Sequence, residues 1–253
     1  MIASSSRSSL VFSLVLSSAF LGAPDARADF SFDFESGAVW TGSNDVRIPG
    51  DEGTRFSLSD DLNGDEPAAY FRARATWHIN ERHDLSVLAA PLRMDYSGRL
   101  VKPVEFAKEF FEAGVPTEAK YRFDSYRLTY RYNFVRKENF TFGLGLTAKV
   151  RDAEIEMQQR GVYASDDNLG VVPLINFRMA WEFAPSWSLI TEGDWLVAPQ
   201  GRAEDILAAI QWQATDALAF HVGYRILEGG ADNDDTYAFA LFHYLAAGVT
   251  VRF

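Results

Sequence analysis

Leu245-Ala246-Ala247-Gly248-Val249-Thr250-Val251-Arg252-Phe253 closes the sequence. Phe253, Val251, Val249, Ala247 and Leu245 fall in one register, and Arg252, Thr250, Gly248 and Ala246 fall in the other. A two-residue period describes a strand with one apolar face and one polar or small face. Chain termini usually fray. An alternating pattern that runs to a terminal aromatic therefore predicts a last strand that is paired.

The opposite end carries a different signal. Arg7 precedes an apolar stretch from Leu10 to Leu21, and Ala26-Arg27-Ala28 follows as a small-residue cleavage site. A charged head, a short apolar core and small residues describe a secretory signal peptide, residues 1–28, with a mature chain of residues 29–253. A spanning helix needs about 20 apolar residues. Charged or polar residues interrupt every other window, which excludes a helical membrane protein. The chain has no cysteine, so it forms neither a disulfide nor a lipoprotein anchor. Its net charge of −11 becomes one unit more negative when Arg7, Arg27 and Asp25 leave with the signal peptide, and an acidic surface excludes nucleic acid as the partner.

Alternation recurs along the mature chain. Phe30, Phe32 and Phe34 oppose Ser31, Asp33 and Glu35 in a first strand to about Trp40. The second strand sets Ala69, Phe71, Ala73, Ala75, Trp77 and Ile79 against Tyr70, Arg72, Arg74, Thr76 and His78. A third runs from Asp84 to about Tyr96, with a bulge or change of face at Pro91. Residues 98–118 suit a hairpin rising above the membrane. Tyr126 to Phe134 and Phe140 to Arg151 form strands four and five, and a polar loop is expected at Ala164 to Gly170. Strands six to nine centre on Pro173–Trp181, Trp187–Trp195, Ile206–Trp212 and Leu218–Ile226. Loops are expected at Ala198–Arg202 and Gly229–Asp235, and the last strand starts at Tyr237.

The expectation is an all-β protein, an antiparallel transmembrane β-barrel of ten strands, or eight if strands seven and eight are a misreading. Short connections after the even strands match periplasmic turns, and longer ones after most odd strands match extracellular loops. Trp77, Trp181, Trp187 and Trp212 fall near the short turns, and Trp40 and Trp195 near the loops, as indoles at a membrane interface do. The terminal Phe with apolar alternate positions resembles the targeting strand of Gram-negative outer-membrane barrels. The blocks Val171-Val172-Pro173-Leu174, Ala198 to Asp205 and Leu227 to Asp234 likewise resemble such proteins. The resemblance implies a porin-like fold and a cell outer-membrane location, and it brings no activity with it. It also implies contact with outer-membrane lipids and lipopolysaccharide, and with the barrel-assembly machinery through the last strand.

Inward positions carry Arg72, Arg74, Arg127, Arg131, Lys149, Arg178, Arg225 and Arg252, against Asp33, Glu35, Glu182, Glu192, Asp194 and Asp205. Charges in a narrow lumen must be paired, because an unpaired buried ion is costly. Arg72, Arg74, Arg127, Arg131, Arg178, Glu182, Glu192, Asp194 and Arg225 are the expected luminal charge network, with Gly143 and Gly145 leaving room for guanidinium groups. The reading is an ionic plug in a monomeric barrel with a structural or surface-interaction role. A narrow channel favouring small anions is the transport version of it. The competing class is an enzyme, either lipid A-modifying or proteolytic, working at the extracellular mouth. Ten-stranded omptin proteases place paired aspartates and an Asp-His pair there. Here only His221, with Glu192 or Asp194, stands as an acid-base candidate, and no nucleophile matches it. The expectation is therefore no enzyme, no catalytic residue, no cofactor and no metal, since the acidic run Asp232 to Asp235 lacks EF-hand spacing.

Overall fold

The computed structural model describes residues 29–199 and 201–253; the expected signal peptide lies outside them. All regular elements are strands: β1 (Asp29–Arg47), β2 (Phe56–Ser57), β3 (Leu62–Gly64), β4 (Ala68–His78), β5 (His83–Ala90), β6 (Arg93–Arg99), β7 (Val104–Phe106), β8 (Glu109–Phe111), β9 (Pro116–Lys137), β10 (Phe140–Gln159), β11 (Val162–Ala184), β12 (Trp187–Ala198), β13 (Gly201–Thr215), β14 (Leu218–Asp232) and β15 (Tyr237–Arg252). Each barrel strand pairs antiparallel with its neighbours, and β1 pairs with both β4 and β15, so the sheet closes on itself with ten staves. Closure leaves no unpaired edge, which a strand crossing hydrocarbon cannot tolerate.

Phe253 lies at the seam. Its amide donates to the Phe30 carbonyl at 2.8 Å, and the Phe30 amide donates back at 3.3 Å. Its ring meets Phe32 edge-on with centroids 5.9 Å apart. The third stave is broken in two at Pro91-Leu92, where reciprocal backbone bonds between Leu92 and Phe123 keep it attached to β9.

Several strands run further than the sequence pattern. β1 continues to Arg47, and β9 begins at Pro116. Ala164–Gly170 is part of β11, joined to β10 by a turn at Arg160 and Gly161 with φ of 45° and 87°. The expected loops at Ala198–Arg202 and Gly229–Asp235 are also mostly strand, since Gly201 pairs with Ala231 and Arg202 with Gly230. Backbone hydrogen bonds extend a ladder beyond the bilayer, whereas hydrophobic alternation stops where lipid stops. Residues 98–118 do form the expected hairpin, as β7 and β8 with left-handed Ala107 and Lys108 between them.

The outer wall records the lipid level. Tyr126, Leu128, Tyr130, Tyr132 and Phe134 project from β9, all well exposed. At a rise of about 3.3 Å per residue and a tilt of about 40°, this face spans about 20 Å, close to the apolar band of about 25 Å expected of such barrels. Immediately beyond it the wall turns charged. Arg122 reaches Asp152 at 2.7 Å and Glu154 at 3.0 Å, and Arg93 forks onto Asp124. At the short-turn end Trp187 stacks on Trp212 at 6.3 Å, Trp212 on Phe220 at 6.0 Å and Phe30 on Trp77 at 6.2 Å, making an aromatic girdle. At the loop end Trp40 stacks on His243 at 6.0 Å.

Inside, the barrel has two layers. Charged residues fill the half toward the short turns. Apolar residues fill the half toward the loops, where β2, β3, β7 and β8 fold inward and Phe56, Phe106 and Phe111 are buried with Leu62, Met94 and Met157.

Candidate functional site

The charged layer is built by strand parity. Because side chains alternate, one face of β1, β4, β9, β12, β13 and β14 delivers its polar residues to a common axis. Asp205 is the hub. It accepts from Arg72 Nη2 at 2.9 Å, Arg127 Nη2 at 2.6 Å and Arg225 Nη1 at 2.5 Å, from three different strands. Asp205 and Arg225 are each 2% exposed. Arg225 also forks onto Glu35 at 2.8 and 2.9 Å, and Tyr70 donates to the same carboxylate at 3.1 Å. Asp194 accepts from Arg127 at 2.7 Å, Thr147 at 2.7 Å and Asn176 at 2.8 Å. Glu192 is held by Arg74 at 2.5 Å and Arg178 at 3.3 Å. Every carboxylate in the layer has at least two cationic or hydrogen-bonding partners, which is the condition for keeping charge out of water.

Of the nine expected network residues, eight lie in this layer or beside it. Arg131 sits at its lower margin, bonded to Asp84 at 2.9 Å, with its side chain over Gly143, where an added Cβ would stand 3.1 Å from its Cγ and Cδ. Glu182 does not belong. It is exposed and forms no ion pair among the described residues, because β11 has already reached the rim there. Arg252 is also a rim residue, exposed and 3.8 Å from Asp29; the partner of Asp33 is Thr250, which donates to it at 2.8 Å.

His221 faces Asp33 at 3.8 Å and Glu35 at 3.7 Å on β1, two staves away, rather than the expected Glu192 or Asp194. Parity shows that a residue points inward, but which residues meet depends on the stagger between strands. A second histidine cluster went unread in the sequence. Ser31 Oγ lies 3.0 Å from His78 Nε2, and His78 Nδ1 lies 2.7 Å from Asp84 Oδ1, at the short-turn end. The sequence carries no direct signal for it, because the contact is diagonal and follows from a register that sets Asp29 opposite His78.

Above the charged layer is a cavity of about 440 Å³ that opens toward the loops. Tyr121, Phe123, Ile155, Leu196, Leu227 and Phe242 form its apolar walls, and Lys149 and Arg151 enter from β10. All three blocks singled out in the sequence converge on it: Val171 to Pro173, Ala198 with Gly201 to Ala203, and Leu227 to Ala231. The acidic groups at its rim are mostly engaged, Glu154 by Arg122 and Glu228 by Arg202. Asp166 also lines it, with its pKa pushed above the usual carboxylate range by burial and by Asp167 and Asp235. Among the described residues no three histidine, aspartate or glutamate side chains gather to hold a metal ion.

No protein-family model matches the chain, and no curated protein sequence matches it. Solved structures do. The outer membrane protease OmpT of Escherichia coli aligns with a TM-score of 0.52 at 10% identity, over 92% of this chain and 99% of that one. An outer membrane channel of Pseudomonas putida F1 aligns at 0.45 and 11% identity, over 91% and 97%. Ail, the attachment invasion locus protein of Yersinia pestis, aligns at 0.38 and 11%, over 89% and 99%. Likeness at such identities shows the fold alone, which is the closed barrel of Gram-negative outer-membrane proteins.

Proposed function

We propose that this chain is a monomeric outer-membrane barrel whose lumen is shut to ions, serving a structural or surface-interaction role with its loop end outside and its short turns in the periplasm. A cleaved signal peptide, recognition of the Phe253 strand during assembly and contact with lipopolysaccharide belong to the same reading. The observation that supports it is Asp205, bonded at once to Arg72, Arg127 and Arg225 across the lumen. A conducting pore needs charges that face water and release an ion. Here every carboxylate of the charged layer is met by at least one arginine and little room is left between them. The test is single-channel recording on refolded protein in a planar bilayer. Silence is the expected result, and steady current steps that scale with salt overturn the closed lumen.

A second reading has one observation in its favour. Ser31, His78 and Asp84 are strung together as nucleophile, base and orienting acid are in serine hydrolases. The charge of Asp84 is nevertheless already compensated, because its other oxygen accepts from Arg131 and Asn133, each at 2.9 Å. Ser31 is also buried. The string therefore reads as a brace tying β1, β4 and β5. Hydrolysis of a chromogenic short-chain ester, compared between the protein and Ser31→Ala, separates the two. A rate that depends on Ser31 establishes an enzyme.

A further inference from the structure

We infer that the loop-end cavity is a binding site for a small organic anion with an apolar body, its acid group received by Lys149. The inference goes beyond the closed-lumen reading, since the cavity faces outward whether or not ions pass beneath it.

Lys149 carries the argument. It is 3% exposed, and among the described residues its amine has no hydrogen-bond acceptor and no carboxylate within 4.0 Å. Its one close companion is the Phe123 ring, 4.7 Å from Nζ. Every other deeply buried cation in this barrel is matched to an anion. Arg127, directly opposite it across the β9–β10 ladder, holds two aspartates. The Lys149 Nζ reaches the cavity rather than being fully enclosed, and an ammonium without a protein partner in so apolar a surrounding is stabilised when an anion enters.

The walls define the rest of the ligand. They are predominantly apolar and aromatic, and about 440 Å³ lies at the lower end of the roughly 300–1,000 Å³ typical of small-molecule sites. Arg151, beside Lys149 on the inward face of β10, has an Nε that is buried without an acceptor, so a second donor stands near the same point. A carboxylate or phosphate monoester on a short hydrocarbon or aromatic body satisfies both groups and fills the walls. A sugar or a dication satisfies neither.

The experiment uses the full mature chain refolded in lipid nanodiscs, with folding of every variant checked by heat-dependent gel migration. Titration calorimetry compares 4-phenylbutyrate with its uncharged amide and with 4-phenylbutylamine, and octanoate then competes to compare an aliphatic body with an aromatic one. Saturable binding of 4-phenylbutyrate is expected, at least tenfold tighter than the amide, with no binding of the amine. Lys149→Met is expected to abolish that tenfold preference, Lys149→Arg to retain it, and Ala203→Trp to block all entry by filling the cavity. Equal affinity for acid and amide, binding of the amine, no saturable binding, or a Lys149→Met protein that still prefers the acid overturns the inference. Conductance on the same preparations keeps the two readings apart. Silent barrels that fail to bind count against the ligand site alone, and conducting barrels that bind count against the closed lumen alone.

Discussion

Arg74 Nη1 on β4 and Glu192 Oε1 on β12 lie 2.5 Å apart although their strands stand on opposite sides of the ten-stave ring. The bond therefore spans the full width of the lumen. Removing Glu192 strands Arg74 as an unpaired buried charge, which costs about 3–5 kcal/mol, whereas replacing both with apolar residues is milder, because Arg178, the other partner of Glu192, is partly open to water. Glu192→Gln is expected to lower the urea midpoint of the refolded barrel sharply, and Arg74→Met with Glu192→Leu to recover most of the loss.

Asp205 anchors three arginines, so its loss is expected to exceed that of any single arginine. Asp205→Asn leaves Arg72 and Arg225 sharing Glu35 and Arg127 with Asp194 alone, so three guanidinium groups lose their common anion at once. A larger drop in unfolding free energy for Asp205→Asn than for Arg72→Met, measured in the same vesicles, checks the hub.

The lipid level on the outer wall is open to an arginine scan along β9. Leu128→Arg places a charge near the middle of the apolar face and is expected to cost about 2–4 kcal/mol, against about 1 or less for Tyr126→Arg beside the charged belt of Asp124 and Arg122. Equal costs at the two positions mean the membrane sits elsewhere.

Asp166 opposes an incoming anion at the cavity. Asp166→Asn removes that repulsion and is expected to tighten 4-phenylbutyrate binding severalfold, most clearly at low salt, where charge interactions are least screened.

How much of this was legible in the sequence follows from what lipid does to a strand. Phe32, Phe34, Leu144 and Leu146 face hydrocarbon while their neighbours face a polar lumen, so the alternation is strong and ten strands can be counted from it. Beyond Asp124 and Asp152 both faces meet water or packed loops. The extensions through Ala164–Gly170 and Gly229–Asp232 therefore look like loops although their ladders are unbroken. Inward residues were readable by parity. Their partners were not, because His221 meeting Glu35, or Ser31 meeting His78, depends on stagger and not on spacing. The cavity was invisible for the same reason: Val172, Arg202 and Gly229 share it only after three separate hairpins are set side by side.

Arg225 and Glu35 are separated by 190 residues in the chain. Contacts of such long range form late, because a large loop must close before they repay its entropy. An open sheet arriving at the membrane carries these charges hydrated and unmatched, and only the curled ring brings them together. The network then acts as a latch that records completion: before the first and last strands meet it contributes nothing, and afterwards no single strand can peel away without exposing several ions at once.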